Sequence, residues 1–223
     1  KIMELLLSAK GISKSFQGRK VLDGINVEIR KSEIIAITGT SGAGKTTLLN
    51  ILSTLDIPDD KSNSSLEIDG QNIFNLNNSD LSKLRNTKIG FVFQFHELIP
   101  ELNVIENICL PGWIRNDRKV NDNANNLINY FGLNELKNKK PNTLSGGEKQ
   151  RVAIARAMIN NPKIIFADEP TGNLDSQNSK ILFNLFFKLR DDYDCSIVIV
   201  THNPKNADKC DRKLQIIDGK IKN

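Results

Sequence analysis

Gly39-Thr40-Ser41-Gly42-Ala43-Gly44-Lys45-Thr46 has the spacing of a phosphate-binding loop, GxxxxGK followed by Ser or Thr. Such a loop cradles phosphate with backbone N–H groups arranged in a nest. Lys45 is placed to reach the β- and γ-phosphates of a nucleotide. The Thr46 hydroxyl is a ligand for Mg²⁺, and Thr47 can reach the α-phosphate. The apolar run Ile34–Thr38 precedes the loop, and a helical stretch from about Lys45 to Thr54 follows it. That strand–loop–helix order is the one the chemistry requires.

A pair of carboxylates follows a second apolar run, Ile164-Ile165-Phe166-Ala167, as Asp168-Glu169. A carboxylate at the carboxyl end of a buried strand emerges where ligands bind in parallel sheets. There Asp168 can hold Mg²⁺ through water, and Glu169, pointing differently, can polarise an attacking water. His202 follows the strand-like Ser196–Thr201, so a neutral imidazole there can donate to a γ-phosphate. Gln94, just past Ile89–Phe93, is placed for the Mg²⁺ shell and for sensing the γ-phosphate. His96 reads either as a further polar group of this site or as a surface or interface residue. Phe16, near the turn residues Gln17-Gly18, can stack on a base; taken alone it reads first as a core aromatic.

A second Gly-rich segment, Leu144-Ser145-Gly146-Gly147-Glu148-Lys149-Gln150, opens a helix. Ser145 and Glu148 have the spacing of a capping box. The helical pattern runs through Val152–Ile159 and stops before Asn160-Asn161-Pro162. Gly146 and Gly147 leave first-turn N–H groups sterically open, and a helix N-terminus with bare amides attracts an anion.

The elements that must position these groups alternate. Leu5 to Ile29 reads as antiparallel strands with turns at Gln17-Gly18 and Asp23-Gly24. Ile34–Thr38 is a strand of the buried parallel type. Leu66–Gly70 is a short strand into a turn, Ser79 caps a helix through about Asn86, and Ile89–Phe93 is another strand. From Phe95 to about Lys140 the pattern is helical, polar and Asn-rich, as for an inserted helical subdomain. A helix over roughly Gln177–Arg190 separates the last two buried strands, and Gln215–Ile221 is a hairpin with an Asp-Gly turn. Strand–helix alternation implies an α/β fold with a parallel sheet.

Composition bounds the rest. The 223 residues suffice for one large domain or a core with a subdomain. No apolar run approaches the roughly 18 residues of a membrane span. Leu5-Leu6-Leu7 is too short for the apolar stretch of a signal peptide, and Met3 is the candidate start because Lys1 is not an initiating residue. Cys109, Cys195 and Cys210 are scattered without a CxxC, which fits a reduced compartment with neither disulfide nor zinc. The net charge of +5 fits an anionic membrane face or a nucleic acid no better than it fits an ordinary solvated surface.

Taken together these residues resemble the ATP-binding cassette (ABC) ATPases over essentially the whole chain. In the family's order the sequence carries an aromatic at Phe16, the Walker A loop Gly39–Thr46, Gln94, the signature Leu144–Gln150, the Walker B strand Ile164–Asp168 with Glu169, the D-loop Asn173-Leu174-Asp175, and the switch His202. The resemblance implies a RecA-like parallel-sheet core, an N-terminal antiparallel β subdomain and an inserted helical subdomain in one nucleotide-binding domain over 1–223. The core with its β subdomain is expected over 1–94 and 160–223, the helical subdomain over 95–159. It also implies ATP and Mg²⁺ as ligands and a head-to-tail homodimer on ATP binding. Ser145, Gly146 and Gly147 of one subunit would then meet the γ-phosphate bound by the other, with Asp175 close by. Phe16 for the commoner Tyr, Thr40 and Ala43 for the commoner Pro and Ser, and Lys149 in the signature depart from the pattern without removing an essential group.

A narrower resemblance rests on Phe91–Pro100, Val104–Ile108, Leu110-Pro111, Leu55-Asp56 with Pro58, and Asp168–Asp175. These are similar to the lipoprotein-releasing ATPases of the LolD type. The last run is shared with MacB-type efflux and FtsE-type cell-division ATPases, whereas Gln94-Phe95-His96 favours the lipoprotein branch. The implied setting is peripheral, on the cytoplasmic face of the inner membrane, with LolC/LolE-type permease subunits as partners and no nucleic acid. Phe95–Pro100 would lie in the groove that receives a partner's coupling helix.

Overall fold

The computed structural model describes residues 4–222. The candidate start at Met3 lies outside them. The chain opens with two long antiparallel strands, β1 (Leu5–Phe16) and β2 (Arg19–Arg30). They join at Gln17 and Gly18, with φ of 50° and 79°, the left-handed pair that a tight hairpin turn needs. Asp23-Gly24, expected to be a turn, instead lies inside β2. Opposite Ile12–Lys14 the register slips between Ile25 and Leu22, which makes a bulge. The strand continues because both amides there find partners: Asp23 N–H donates to Gly219 O at 2.9 Å and Gly24 N–H to Ser13 Oγ at 2.9 Å.

Next come β3 (Ile34–Gly39), α1 (Lys45–Leu52), β4 (Ser65–Ile68) and β5 (Gln71–Asn72). The following helix, α2, spans Asn78–Lys88 and is capped by Asn77, whose side chain accepts from Asp80 N–H at 2.9 Å. Ser79 is therefore inside the first turn and not the cap. Asn77 caps as well as Ser does and lies earlier, so the helix starts there. Then follow β6 (Ile89–Val92), α3 (Val104–Ile114), α4 (Val120–Tyr130), α5 (Gly146–Met158), β7 (Ile164–Asp168), α6 (Ser176–Tyr193), β8 (Ser196–Val200), the short α7 (Pro204–Ala207), β9 (Arg212–Ile217) and β10 (Lys220–Lys222).

The strands form two sheets. One is antiparallel, in the order β2-β1-β4-β5, and the other runs β10-β9-β3-β8-β7-β6. In the second, β9, β3, β8, β7 and β6 are mutually parallel and only β10 is antiparallel. The period-2 rule sorts its side chains between two cores. Ile164, Phe166, Val198 and Val200 face α1 and the antiparallel sheet, burying Leu48, Leu49, Ile51 and Leu52 between the two sheets. Ile165, Ala167, Ile197 and Ile199 face the opposite way, onto α5 and α6 and, beyond them, α3 and α4. α5 touches both α3 and β6, so it is shared between the helical layer and the sheet.

This topology aims four strand ends at one edge. β3 ends in Gly39, β6 leads to Gln94, β7 ends in Asp168 and β8 leads to His202. That edge is where open parallel sheets place ligands. Among the described residues no helix is long and apolar enough to cross a membrane.

Candidate nucleotide site

A cavity of about 380 Å³ at that edge is lined by Phe16, Val21, Ser41, Gly42, Gly44, Lys45, Thr46, Thr47, Gln94, Asp168 and Glu169. Residues from the antiparallel sheet, the loop with the start of α1, and the ends of β6 and β7 thus converge on one space. Phe16 is 48% exposed and not in the core, which leaves its ring open to the cavity.

The loop's shape depends on its glycines. Gly44 sits at φ 99° as the residue before α1, and a Cβ there would come within 2.9 Å of Leu22 Cδ2. Gly39 sits at φ 149°, where a Cβ would meet Ile216 O at 2.5 Å. Neither position accepts an L side chain without displacing backbone or core. α1 has no side-chain cap, so its first amides remain available to an anion. Lys45 is almost fully buried, and its ammonium donates to Gly39 O at 3.1 Å and Thr40 O at 2.9 Å. Those two carbonyls hold the charge at the mouth of the loop.

Asp168 is half-buried. Burial pushes its carboxyl above the ordinary Asp value of 3.8, and the charge of Glu169 adds to that; the Thr46 hydroxyl and Lys45 pull the other way. Its Oδ1 is buried without a hydrogen-bond partner. A buried carboxylate oxygen with no partner is costly unless something cationic meets it. With the Thr46 hydroxyl and the Gln94 amide nearby, the donor set is hard oxygen, which suits Mg²⁺. Among the described residues no cluster of three or more His, Cys, Asp or Glu could cage a metal alone.

Glu169 adopts φ 43°, a left-handed conformation, and its N–H is fixed to Val200 O at 3.0 Å. Strain of this kind concentrates at functional sites. Its Oε2 meets His202 Nδ1. His202 does not line the nucleotide cavity; it lines the adjoining space with Thr38, Gly39, Thr40, Thr201 and Lys213. It therefore reaches the cavity through Glu169, a partnership that neither residue's place in the sequence announced.

Other expected site residues lie outside this cavity, Gly39 and Thr40 among them, which line the adjoining space with His202. Ser145 caps α5: its Oγ accepts from Glu148 N–H at 3.4 Å, while Glu148 Oε2 accepts from Ser145 N–H at 2.7 Å. The capping box is formed as expected. Gly146 and Gly147 border Leu174 and Asn178, not the nucleotide cavity. Asp175 caps α6, accepting from Asn178 N–H at 2.9 Å. Ala43 packs against the core between the two sheets. His96 is half-buried, and burial lowers its pKa below the usual histidine value, with the backbone of Phe95 and Gly146 pulling the other way; its O accepts from Arg156 Nη2 on α5 at 2.7 Å. It thus belongs to the contact between β6's exit and α5, not to the open surface.

A groove of about 440 Å³ runs beside that contact, lined by Arg85, Phe91, Phe93, Glu97, Ile114 and Arg156 among others. Phe95 and Ile114, 69% and 70% exposed, leave two large apolar side chains near it uncovered. The thiols of Cys109 and Cys195 are buried and free, and burial pushes Cys195 up to about 12, which makes it unreactive.

The family model described as ABC transporter matches residues 22–172. The lipoprotein-releasing system ATP-binding protein LolD of Bacteroides thetaiotaomicron is 48% identical over 97% of this chain and 99% of its own length. The LolD of Aquifex aeolicus is 43% identical over 98% and 97%. Among solved structures, a dimeric post-hydrolysis state of the ATP-binding cassette MJ0796 bound to ADP and Pi superposes with a TM-score of 0.87 at 37% identity, covering 98% of this chain and 97% of that one.

Proposed function

Since the chain belongs to the ABC transporter family of ATPases, we propose that it is the ATP-hydrolysing subunit of a machine that releases lipoproteins from a bacterial inner membrane. The observation that carries the ATPase chemistry is the cavity joining Phe16, the loop residues Ser41, Gly42, Gly44, Lys45 and Thr46, and Gln94, Asp168 and Glu169. Near-full-length identity to LolD proteins supports the lipoprotein branch.

In this reading Phe16 stacks on the adenine and the amides of Gly39, Thr40, Ser41, Gly42, Ala43 and Gly44 cradle the β-phosphate. Lys45 leaves its two carbonyls to bind the β- and γ-phosphates, and Thr47 reaches the α-phosphate. Thr46, Gln94 and Asp168 would hold Mg²⁺, which when bound neutralises phosphate charge. Glu169 orients and polarises the attacking water, and it is positioned by the bond from its N–H to Val200 O. His202 holds Glu169 and donates toward the γ-phosphate. Catalysis of this kind is mostly positioning and electrostatics, so the rigid strand ends matter as much as the side chains.

The amides at Ser145, Gly146 and Gly147 lie outside this cavity and require a second copy to be useful. Two copies arranged head to tail would close each cavity with the partner's α5 N-terminus, Asp175 flanking it. ATP closes the pair and hydrolysis reopens it. In the same reading the groove beside Phe95 receives a cytoplasmic helix of LolC/LolE-type permeases, and the chain works at the cytoplasmic face of the membrane. Reconstitution tests this: the chain with its co-purifying membrane partners, in proteoliposomes carrying a triacylated lipoprotein, should release that lipoprotein only with hydrolysable ATP. Release without dependence on ATP, or partners that transport nothing, would contradict it.

A further inference from the structure

The five residues leaving β6, Phe93–Glu97, are held by their carbonyls. Phe93 O accepts from His96 N–H at 3.2 Å and from Gln150 Nε2 at 3.5 Å. Gln94 O accepts from Asn173 Nδ2 at 3.4 Å. Phe95 O accepts from Glu97 N–H at 2.8 Å. His96 O accepts from Arg156 Nη2 at 2.7 Å, and Glu97 O accepts from Arg156 Nη1. Gln150 and Arg156 both stand on α5, the helix whose N-terminus is Ser145–Gly147.

The turn so held is strained. His96 and Glu97 lie at φ 66° and 47°, consecutive left-handed residues with no glycine between them. Histidine tolerates that region better than glutamate does. Glu97 is exposed, so its side chain gains no burial that would offset the strain. What remains is the guanidinium, a rigid planar fork that can hold two neighbouring carbonyls at once. Arg156 and Glu97 also line the groove beside this turn.

We infer that Arg156 is a positioning residue that clamps the strained His96–Glu97 turn to α5, so that Gln94 and the Ser145–Gly147 N-terminus move as one unit. The inference rests on the roles proposed above for Gln94 and Ser145–Gly147.

The test separates clamp from simple packing. In Arg156→Gln, ATP affinity of the isolated chain, read with a fluorescent ATP analogue, stays unchanged, while turnover falls roughly tenfold, the scale of one lost charge-assisted hydrogen bond. Arg156→Lys, which keeps the charge but not the fork, shows the same defect. Glu97→Val with Arg156 intact reproduces it, because a β-branched residue resists positive φ. Adding Glu97→Gly to Arg156→Gln restores turnover, since glycine enters the left-handed region at no steric cost.

Loss of affinity in step with turnover, normal turnover in Glu97→Val, or no rescue by Glu97→Gly would each overturn the clamp. If the Arg156 variants do not fold, Glu97→Val alone decides. ATP-driven dimerisation of Glu169→Gln is measured alongside. If that dimer fails to form, the reading of α5 as a half-site fails and takes the clamp with it. If it forms and the Arg156 variants turn over normally, only the clamp is wrong.

Discussion

Two glycine-rich helix N-termini in this chain look alike in sequence and differ in their surroundings. The one at Gly39–Thr46 opens into a cavity already furnished with Phe16, Gln94, Asp168 and Glu169. The one at Ser145–Gly147 is capped by its own Ser145 and Glu148 and borders Leu174 and Asn178. The first is a nearly whole site inside one chain. The second lies away from that cavity behind its own capping box, and in the proposed reading it serves the cavity of a second copy. The glycines differ accordingly. A Cβ on Gly39 would strike backbone at 2.5 Å, whereas one on Gly146 would make ordinary contact with Leu174 at 3.5 Å.

The contrast breaks first, if it breaks, at Glu169. Glu169→Gln should lower turnover by about 10²–10⁴-fold, the usual worth of a general base, while leaving ATP binding intact. A steady-state assay beside nucleotide binding checks it, and turnover within a few-fold of normal would remove Glu169 from its assigned role. Next in size is Gly146→Ala. It should cut turnover roughly a hundredfold, the worth of a charge-stabilising donor, because the added methyl holds the second copy's phosphate away from an N–H that remains in place, with no change in ATP affinity of the single chain. Gly39→Ala should damage folding and affinity together. Equal behaviour of the two variants would erase the distinction drawn here.

A smaller effect separates the sites by charge. Burial raises the folded-state pKa of Asp168 above 3.8, so the folded chain holds this proton more tightly than the unfolded one. Its contribution to stability is present below 3.8 and lost as pH rises through the folded-state value. At neutral pH the ionised group is a net cost. Asp168→Asn should therefore raise the Tm of the nucleotide-free chain at pH 7 and not below pH 3.8. An unchanged or lowered Tm at neutral pH would mean that the carboxylate is better solvated than its unpartnered Oδ1 indicates. Smallest is Ser145→Ala, which removes a cap and should cost about 1 kcal/mol in denaturant unfolding. A drop in turnover well beyond that cost would mark Ser145 as a ligand contact as well as a cap.

Much of this was legible in the sequence because it is local. Gly39–Thr46 carries its strand, loop and helix within a few residues, and Asp168-Glu169 follows four apolar residues that can only be a buried strand. Asn77 and Ser79 are both capping residues two positions apart, and only the bond from Asp80 N–H to Asn77 Oδ1 distinguishes them. Asp23-Gly24 looked like a turn because a bulge uses the same residues. The partnership of His202 with Glu169 and the grip of Arg156 on His96 and Glu97 were illegible for another reason. They join residues 33, 60 and 59 positions apart through side chains, and no spacing rule encodes them.

The central claim is that α5's N-terminus completes the nucleotide cavity of a second copy. Mixing two inactive variants, Glu169→Gln and Ser145→Arg, tests it most directly. In a head-to-tail pair the Ser145→Arg chain supplies an intact loop and Glu169, and the Glu169→Gln chain supplies an intact α5 N-terminus, so one whole site forms. The account predicts that ATP turnover reappears on mixing. A mixture no more active than the two variants measured separately would contradict it.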